Sequence, residues 1–261
     1  MISNPQNKYL KKELNIACLN VRGCKKEHQR ETIIKDCINN KIQILGLSET
    51  HAGNTSLEHY NVQHKNFTLF LCGKEGKEQH GIGFAVEQDL HPVFQQISER
   101  ICKCEIQLVN RKLVVVVAYA PTLYQSEKCP EIRDEFYKQL DSTIEKVANR
   151  HSLVVMGDFN AKIGSGWRNY PEVIGHFGKG HMNSNGQALA ECMKKNNLIL
   201  TNTLFRHKLS HVSTWEAPER KFINAIDENG NKKLLLGPDG RPRKNPFRNQ
   251  IDYIAVRNEN R

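Results

Sequence analysis

Four polar groups are expected at the carboxyl ends of apolar strands, where their side chains could project into one shared cleft. They are Asn20, Glu49, Asp158 together with Asn160, and Asp252. Glu49 could bind Mg²⁺, a hard cation that prefers oxygen ligands and keeps several of its waters. Asp158 and Asn160 place a carboxylate and an amide close together, so that both could address one water molecule or one phosphate oxygen. These residue types therefore allow metal-assisted chemistry at a phosphate group.

Each of these motifs also has a purely structural interpretation. Ser48-Glu49-Thr50 could cap a helix or a turn, and the residues around Asn20 and Asp158 could form Asx turns after their strands. Asp252 lies within the sequence QIDYI, inside a predicted strand, where an acid normally needs a partner. The presence of all these groups in one chain, in this order, favours a shared function.

Apolar runs and alternation predict the elements that would carry these groups. Strands are predicted over 14–19, 42–47, 67–71, 82–86, 105–109, 113–119, 153–156, 198–201 and 250–256, and helices over 26–39, 131–148 and 184–195. Strands joined by both hairpin-length and helix-length connections predict mixed sheets flanked by helices, an α/β sandwich. No repeat or interior linker is visible, so we expect one domain over 14–261 after a polar extension over 1–13.

The chain is strongly basic. Its 261 residues include 38 Lys and Arg against 28 Asp and Glu, a net charge of +10. This balance favours a polyanionic partner, and DNA or another nucleic acid is the first expectation. The mean hydropathy is −0.60, and no apolar run approaches the ~20 residues that a bilayer-spanning helix needs. We therefore expect no membrane partner.

The cysteines are expected to be thiols. The amino-terminal sequence MISNPQNKYLKKELN contains no apolar segment typical of a secretory signal, which predicts an intracellular, reducing location. None of the eight cysteines stands in the C-x-x-C spacing of a zinc site. Cys102 and Cys104 have strand spacing, which is more typical of packing than of metal ligands.

A basic segment over 217–249 precedes the last predicted strand. Its cationic residues include Lys232, Lys233, Arg241, Arg243, Lys244 and Arg248, with Asp239 the single acid between the first and last of them. The segment could be a solvated loop. It could also be an arm that contacts phosphates, because Lys and Arg beside Pro and Gly turns can follow a nucleic-acid backbone.

Seven motifs in fixed order resemble those of a known family. They are LNVRG (19–23), SETH (48–51), VAYAPT (117–122), MGDFNA (156–161), NSNGQALAE with LILTNTLF (183–191 and 198–205), STW (213–215) and NQIDYI (249–254). The set resembles the endonuclease/exonuclease/phosphatase superfamily. More narrowly, it is similar to the apurinic-type endonuclease domain of non-LTR retrotransposons, of the craniofacial-development-protein-2-like kind. The resemblance implies a four-layer α/β sandwich with two mixed β-sheets flanked by helices.

The resemblance also implies roles for individual residues in cutting a phosphodiester bond. Glu49 would hold Mg²⁺, with Mn²⁺ as a substitute, and Asn20 would help to orient the metal and the phosphate. Asp158 would contribute to the metal site and would position and deprotonate the attacking water. Asn160 would fix Asp158 and contact the phosphate, and Tyr119 would stabilise charge near the scissile bond. Thr214 would either support these residues from behind or belong to the DNA contact surface. Arg22 and the six cationic residues of the basic segment are the further expected nucleic-acid contacts.

Asp252 matches the acid that orients a catalytic histidine in this family. That histidine belongs to a Ser-Asp-His motif, and none of the eleven histidines follows Asp252. We therefore expect the chain to lack the family's last strand and its catalytic histidine. This expectation leaves open a domain that binds nucleic acid without cleaving it.

The implied activity is Mg²⁺-dependent nicking of DNA to give a 3′-hydroxyl, as in target-primed retrotransposition. A reverse transcriptase domain in a longer parent chain and a nuclear location would follow from that role. A phosphomonoesterase or a lipid phosphodiesterase of the same superfamily is the alternative enzyme, but the sequence contains no apolar loop typical of membrane docking.

Overall fold

The computed structural model describes residues 13–74, 77–178, 180–216, 221–222, 224–226, 232–234, 244–245 and 248–257. Its strands are β1 (Ile16–Asn20), β2 (Ile44–Ser48), β3 (Ser56–Val62), β4 (Lys65–Lys74), β5 (Lys77–Glu87), β6 (Val93–Gln96), β7 (Ile101–Gln107), β8 (Lys112–Tyr119), β9 (Ser152–Asp158), β10 (Leu198–Leu200), β11 (Trp215–Glu216), β12 (Lys221–Phe222), β13 (Asn224–Ile226), β14 (Lys232–Leu234), β15 (Lys244–Asn245), β16 (Arg248–Asn249) and β17 (Asp252–Arg257). Its α-helices are α1 (Glu27–Asn39), α2 (Leu123–Lys128), α3 (Pro130–Glu145), α4 (Ser184–Lys195) and α5 (Leu209–Val212). Among the described residues, no helix is long and apolar enough to cross a membrane.

The chain divides into two compact units. The first comprises Met1–Arg206 and Asp252–Arg261, and the second comprises His207–Ile251. The second unit contains α5 and the antiparallel strand pairs β11–β16, β12–β15 and β13–β14. None of these strands is predicted from the sequence, because each has only two or three residues and the segment lacks apolar alternation.

The first sheet of the larger unit has the order β1-β2-β5-β4-β3. β1 and β2 run parallel, and the remaining neighbours are antiparallel. One face of this sheet packs against α1, whose Ile33, Ile34 and Cys37 are buried against Leu47 and Leu69. The apolar residues of α1 fall on one side of the helix, so this burial holds it flat against the sheet.

The second sheet has the order β10-β17-β9-β8-β7-β6. β8 and β9 run parallel, and the crossover between them carries α2 and α3. The outer face of this sheet packs against Phe136 and Leu140 of α3 and against Leu189 and Met193 of α4. α3 begins with a proline in its first turn, where the missing N–H costs no hydrogen bond.

The inner faces of the two sheets pack against each other. Phe84 from the first sheet lies in one buried cluster with Val117 and Met156 from the second. Gly46 permits this close approach, because a Cβ there would collide with Val117 and Met156. The resulting order of helix, sheet, sheet and helices confirms the predicted α/β class with two mixed sheets flanked by helices.

Several predicted boundaries are wrong. The strand predicted over 105–109 runs over Ile101–Gln107, because Leu108 belongs to the turn that its N–H closes onto the carbonyl of Arg111. The helix predicted over 131–148 ends at Glu145. The elements β3, β6 and α2 were not predicted, because they carry too few apolar residues to give a clear pattern. Cys102 and Cys104 pack between the sheets, as predicted, and all eight cysteines are free.

Candidate active site

The predicted site residues of the larger unit meet at one end of the two sheets. Asn20 ends β1, Tyr119 ends β8 and Asp158 ends β9, while Glu49 directly follows β2. Tyr119 and Asp158 are register partners in parallel strands. The side-chain amide of Asn20, on the first sheet, donates to Asp158 on the second, so the ends of both sheets share one polar cluster.

Asp252 reaches this cluster in a different way from the one predicted. It is neither at the carboxyl end nor in the interior of its strand, but is the first residue of β17. Because β17 runs antiparallel to β9, its beginning lies beside the end of β9, and Asp252 pairs in register with Asp158. The antiparallel direction of the strand therefore brings two acids together.

Asp158 is buried and held at both carboxylate oxygens. The residue is 1% exposed. Its Oδ2 accepts a hydrogen bond from Asn20 Nδ2 at 3.0 Å, and its Oδ1 accepts one from the backbone N–H of Asn160 at 2.9 Å. These two donors fix the orientation of the carboxylate.

The environment of Asp158 raises its pKa from 3.8 to about 7. Burial is the main cause, and the negative charge of Asp252 adds to it, with a smaller contribution from Glu49. The hydrogen bonds from Asn160 and Asn20 act in the opposite direction. A carboxyl group with a pKa near neutrality is suited to accept a proton as a general base.

Glu49 and Tyr119 form the second part of the site. The Tyr119 hydroxyl donates to Glu49 Oε1 at 3.3 Å. Burial, Glu49 and Asp158 all raise the pKa of Tyr119, so the phenol stays protonated and remains a hydrogen-bond donor. The site thus combines a carboxylate that could bind a cation with a hydroxyl that could donate to an anionic oxygen.

The backbone around the site adopts uncommon conformations. Positive φ angles occur at Arg22 (48°), Glu49 (53°), His51 (56°) and Asn160 (46°), although none of these residues is glycine. Each such residue costs of order 1–3 kcal/mol and persists only where its surroundings hold it. One support is visible at Arg22, whose backbone N–H donates to Asn20 Oδ1 at 3.1 Å. Strained residues of this kind cluster at functional sites in proteins.

Asn160 is itself held by Asn185, a buried residue that was not among the predicted site residues. Asn160 Nδ2 donates to the carbonyl of Ala120 at 2.9 Å. Asn185 Nδ2 donates to the carbonyls of Pro121 and Asn160, at 3.0 and 3.1 Å. Asn185 lies within the motif NSNGQALAE, which was its only signal. These bonds tie the end of β8 and the start of α4 to the turn after Asp158.

Sequence reasoning missed two further residues beside Tyr119. The guanidinium of Arg100 lies over the Tyr119 ring, 5.4 Å from its centroid, and donates to the Tyr119 carbonyl at 3.2 Å. The ring of His80 lies 5.4 Å from that of Tyr119. Arg100 directly precedes β7. Charged residues are common at the start of a strand, so no sequence pattern indicated that this one contacts Tyr119.

The oxygen atoms of the site fit a hard divalent cation. Within the part of the chain that the structure describes, no group of three or more His, Cys, Asp or Glu side chains could hold a metal ion. Mg²⁺, however, is commonly bound by one or two carboxylates and otherwise by water and substrate phosphates. Glu49, Asp158 and the Asn20 amide supply such a donor set. A cation would offset the repulsion from Asp252 and Glu49 that adds to burial in raising the pKa of Asp158.

The predicted nucleic-acid contacts are divided between the two units. Arg22 is exposed next to Asn20, whereas Thr214 and Arg248 belong to the second unit. The Thr214 hydroxyl accepts from the backbone N–H of Ile251 at 3.1 Å. Lys232 and Lys233 lie in β14 and Lys244 in β15, with only their backbone described, and Arg241 and Arg243 lie outside the described residues.

Comparisons with known proteins point to one family. The family model described as Endonuclease/Exonuclease/phosphatase family matches residues 14–260. Craniofacial development protein 2 of Bos taurus is 31% identical over 193 residues, which cover 71% of this chain and 30% of that protein. The chain thus spans less than a third of the length of this curated relative.

Solved structures show the same fold at low sequence identity. The endonuclease domain of TRAS1, a telomere-specific non-LTR retrotransposon, is similar with a TM-score of 0.54 and 14% identity, covering 95% of this chain and 86% of that one. A variant of the 3′ phosphatase NExo from Neisseria, bound to a product DNA hairpin, is similar with a TM-score of 0.52 and 13% identity, covering 94% and 87%.

Proposed function

Because the chain belongs to the endonuclease/exonuclease/phosphatase family, we propose that it is a Mg²⁺-dependent phosphodiesterase that nicks DNA and leaves a 3′-hydroxyl. The observation that carries the proposal is the buried Asp158, held by Asn20 and Asn160 beside Asp252, with its pKa raised to about 7. Hydrolysis of a phosphodiester needs a positioned water, neutralised phosphate oxygens and a stabilised leaving oxygen. The site offers a group for each of these tasks.

Asp158 would position and deprotonate the attacking water. Its carboxylate is fixed by two hydrogen bonds, so it can hold a water in one orientation. Its raised pKa matches the proton affinity required of a base that works near neutral pH. Asn160, whose backbone N–H holds Asp158, would also donate the second N–H of its side-chain amide to a phosphate oxygen, since the first N–H is bound to the Ala120 carbonyl.

Glu49, Asn20 and Asp158 would hold the metal ion. A bound Mg²⁺, or Mn²⁺ in its place, would supply positive charge at the non-bridging oxygens of the phosphate. The family as a whole typically uses a divalent metal. The Tyr119 hydroxyl, now directed at Glu49, would donate to a phosphate oxygen and stabilise the charge that develops there.

DNA is the proposed substrate. The net charge of +10 favours a polyanion, and the 3′ phosphatase from Neisseria that shares the fold is bound to a product DNA hairpin. The TRAS1 domain that shares the fold is an endonuclease of a retrotransposon. A place beside a reverse transcriptase in a longer chain, and action in the nucleus, are parts of the same proposal.

Nicking of supercoiled plasmid tests this function. The purified chain would be incubated with Mg²⁺, with Mn²⁺ and with EDTA, alongside Glu49→Ala, Asp158→Ala and the control Asp134→Ala, an acid on α3 whose side chain is 67% exposed. We expect open circles with either metal, none with EDTA, and loss of nicking in the first two variants only. DNA ligase should reseal the product, because it carries a 3′-hydroxyl and a 5′-phosphate.

Three outcomes would contradict the proposal. Nicking that survives Asp158→Ala would remove Asp158 from the chemistry. Release of inorganic phosphate from a 3′-phosphorylated oligonucleotide, without plasmid nicking, would make the protein a phosphomonoesterase. A folded chain that binds DNA and yields no metal-dependent product would be a nucleic-acid-binding domain without nuclease activity.

A further inference from the structure

Arg100 is a half-buried cation beside the candidate site whose charge is not matched by an acid in contact with it. Its guanidinium donates to the Tyr119 carbonyl at 3.2 Å and faces His80 Nε2 at 3.5 Å. Both acceptors are neutral, and no carboxylate of the described residues lies within ion-pair distance of Arg100. A guanidinium has five N–H donors, so most of its donors have no acceptor in the described part of the protein.

The surroundings of Arg100 make an anion the natural complement. Burial lowers the pKa of Arg100, which means that the charged form has lost part of its hydration. Burial and the charge of Arg100 lower the pKa of His80, against the charges of Glu99 and Glu49, so the surroundings favour the neutral imidazole. The charge of Glu99 attracts Arg100, but this acid forms no ion pair with it. A partly desolvated cation without an anion in contact is costly, and that cost is recovered when an anion binds.

The position of Arg100 ties this anion to the candidate active site. Its guanidinium lies over the ring of Tyr119, and the hydroxyl of the same ring donates to Glu49. The carbonyl of His80 accepts from the N–H of His51 at 2.8 Å, and that of Gly81 accepts from Thr50 at 3.1 Å. The segment that faces Arg100 is therefore fastened to the loop that carries Glu49.

We propose that Arg100, with His80 beside it, binds a phosphodiester group of the DNA backbone next to the scissile one. The inference rests on the proposed function and extends it with a second phosphate site. A guanidinium can donate two parallel hydrogen bonds to a phosphate. This guanidinium lies over the ring of Tyr119, whose hydroxyl donates to Glu49, where the scissile phosphate would lie. Arg100 contributes to substrate binding, and the chemistry stays with Asp158 and Glu49.

Equilibrium binding without cleavage tests the phosphate site. Fluorescence anisotropy with a labelled duplex in EDTA would compare wild type with Arg100→Gln, which keeps a donor for the Tyr119 carbonyl, and with Arg100→Lys, which keeps the charge. Arg111→Ala is the matched control, since this exposed arginine lies at the opposite end of the same β7–β8 hairpin. We expect Arg100→Gln to bind about tenfold more weakly and to lower the slope of log K against log salt by about 0.9.

Arg100→Lys should keep the slope and lose part of the affinity, and Arg111→Ala should change neither. A set of duplexes, each with one uncharged methylphosphonate at a different place in one strand, would locate the phosphate that Arg100 contacts. In wild type, neutralising the phosphate that Arg100 contacts should weaken binding, and the same replacement should cost nothing further in Arg100→Gln. Circular dichroism would verify that each variant is folded.

The outcomes separate this inference from the proposed function. Unchanged affinity and an unchanged salt slope in Arg100→Gln would overturn the phosphate site. This holds even if nicking falls in that variant, because Arg100 would then only position Tyr119. A chain that binds DNA through Arg100 and never nicks would remove the nuclease proposal and leave the phosphate site. A chain that does not bind DNA would overturn both.

Discussion

The acid pair at the end of β9 makes a specific prediction about stability. Asp158 and Asp252 are 1% and 8% exposed and are register partners, so ionising Asp158 places a second negative charge in a buried position. Replacing Asp158 by Asn removes that charge at nearly constant volume. We therefore expect Asp158→Asn to change how the free energy of unfolding depends on pH.

The sign follows from the direction of the pKa change. The pKa of Asp158 is raised in the folded state, so the stabilising form is the protonated one. Its contribution is complete below the unfolded pKa and is lost as the pH rises through the folded value. A carboxyl pKa that moves from 3.8 to about 7 corresponds to a change of at most about 4 kcal/mol in the free energy of unfolding. Wild type should lose this stability between pH 4 and 8, whereas Asp158→Asn should not.

Urea unfolding in EDTA, at steps from pH 4 to pH 8, measures this difference. In Asp158→Asn, the new amide N–H faces the amide N–H of Asn20, so two donors meet where one hydrogen bond existed. Asn20 cannot turn its oxygen toward the new amide without losing the hydrogen bond from the N–H of Arg22. The variant therefore carries a cost of about 1 kcal/mol at every pH. The pH-dependent difference from wild type is therefore the quantity to compare. Asp134→Asn, in an exposed acid, is the control and should follow wild type.

Mg²⁺ provides a second readout of the same prediction. If Asp158 helps to hold the ion, added Mg²⁺ at pH 8 should stabilise wild type more than Asp158→Asn, because a ligand that binds only the folded state adds to its stability. Parallel pH profiles for wild type and Asp158→Asn would refute the argument that the buried acid pair opposes folding at high pH.

Two further substitutions test how the site is positioned. Tyr119→Phe removes the hydroxyl that donates to Glu49. It should lower the initial rate of nicking about tenfold, equivalent to about 1.4 kcal/mol, and leave the urea midpoint unchanged. An unchanged rate would show that the hydroxyl is dispensable. Gly157→Ala should lower the free energy of unfolding by at least about 2 kcal/mol. The φ angle of Gly157 is +141°, and a Cβ there would collide with the Ala118 carbonyl. A urea midpoint equal to that of wild type would contradict this prediction.

Local patterns were sufficient to predict the part of the site that lies at strand ends. Asn20, Glu49 and Asp158 each follow an apolar strand, so residue type and position along the chain indicate both the polarity of the site and its location. Arg100 carries no such pattern. Its place beside Tyr119 depends on the antiparallel pairing of β7 with β8 and on the packing of the two sheets, which no short segment specifies.

Asp252 illustrates the same limit in another form. Its sequence context identifies it as an acid in an apolar strand, but whether such an acid is solvated or buried beside another acid depends on strand direction. β17 is antiparallel to β9, and this pairing across almost a hundred residues of sequence decides that the two carboxyl groups meet. Weak signals also explain why β3, whose residues alternate between half-buried and exposed, was not predicted.

The charges that oppose folding at this site are of two signs, and charges of both signs contact Tyr119. Asp158, Asp252 and Glu49 concentrate negative charge at the strand ends, and Arg100 carries positive charge over the Tyr119 ring. Among the described residues, Arg100 forms no ion pair with these acids, so the two signs do not neutralise each other. A phosphodiester together with its divalent cation carries both complementary charges. The arrangement therefore favours binding of metal and DNA together over either one alone, and DNA affinity should rise when Mg²⁺ is present in a wild-type complex that has not yet turned over.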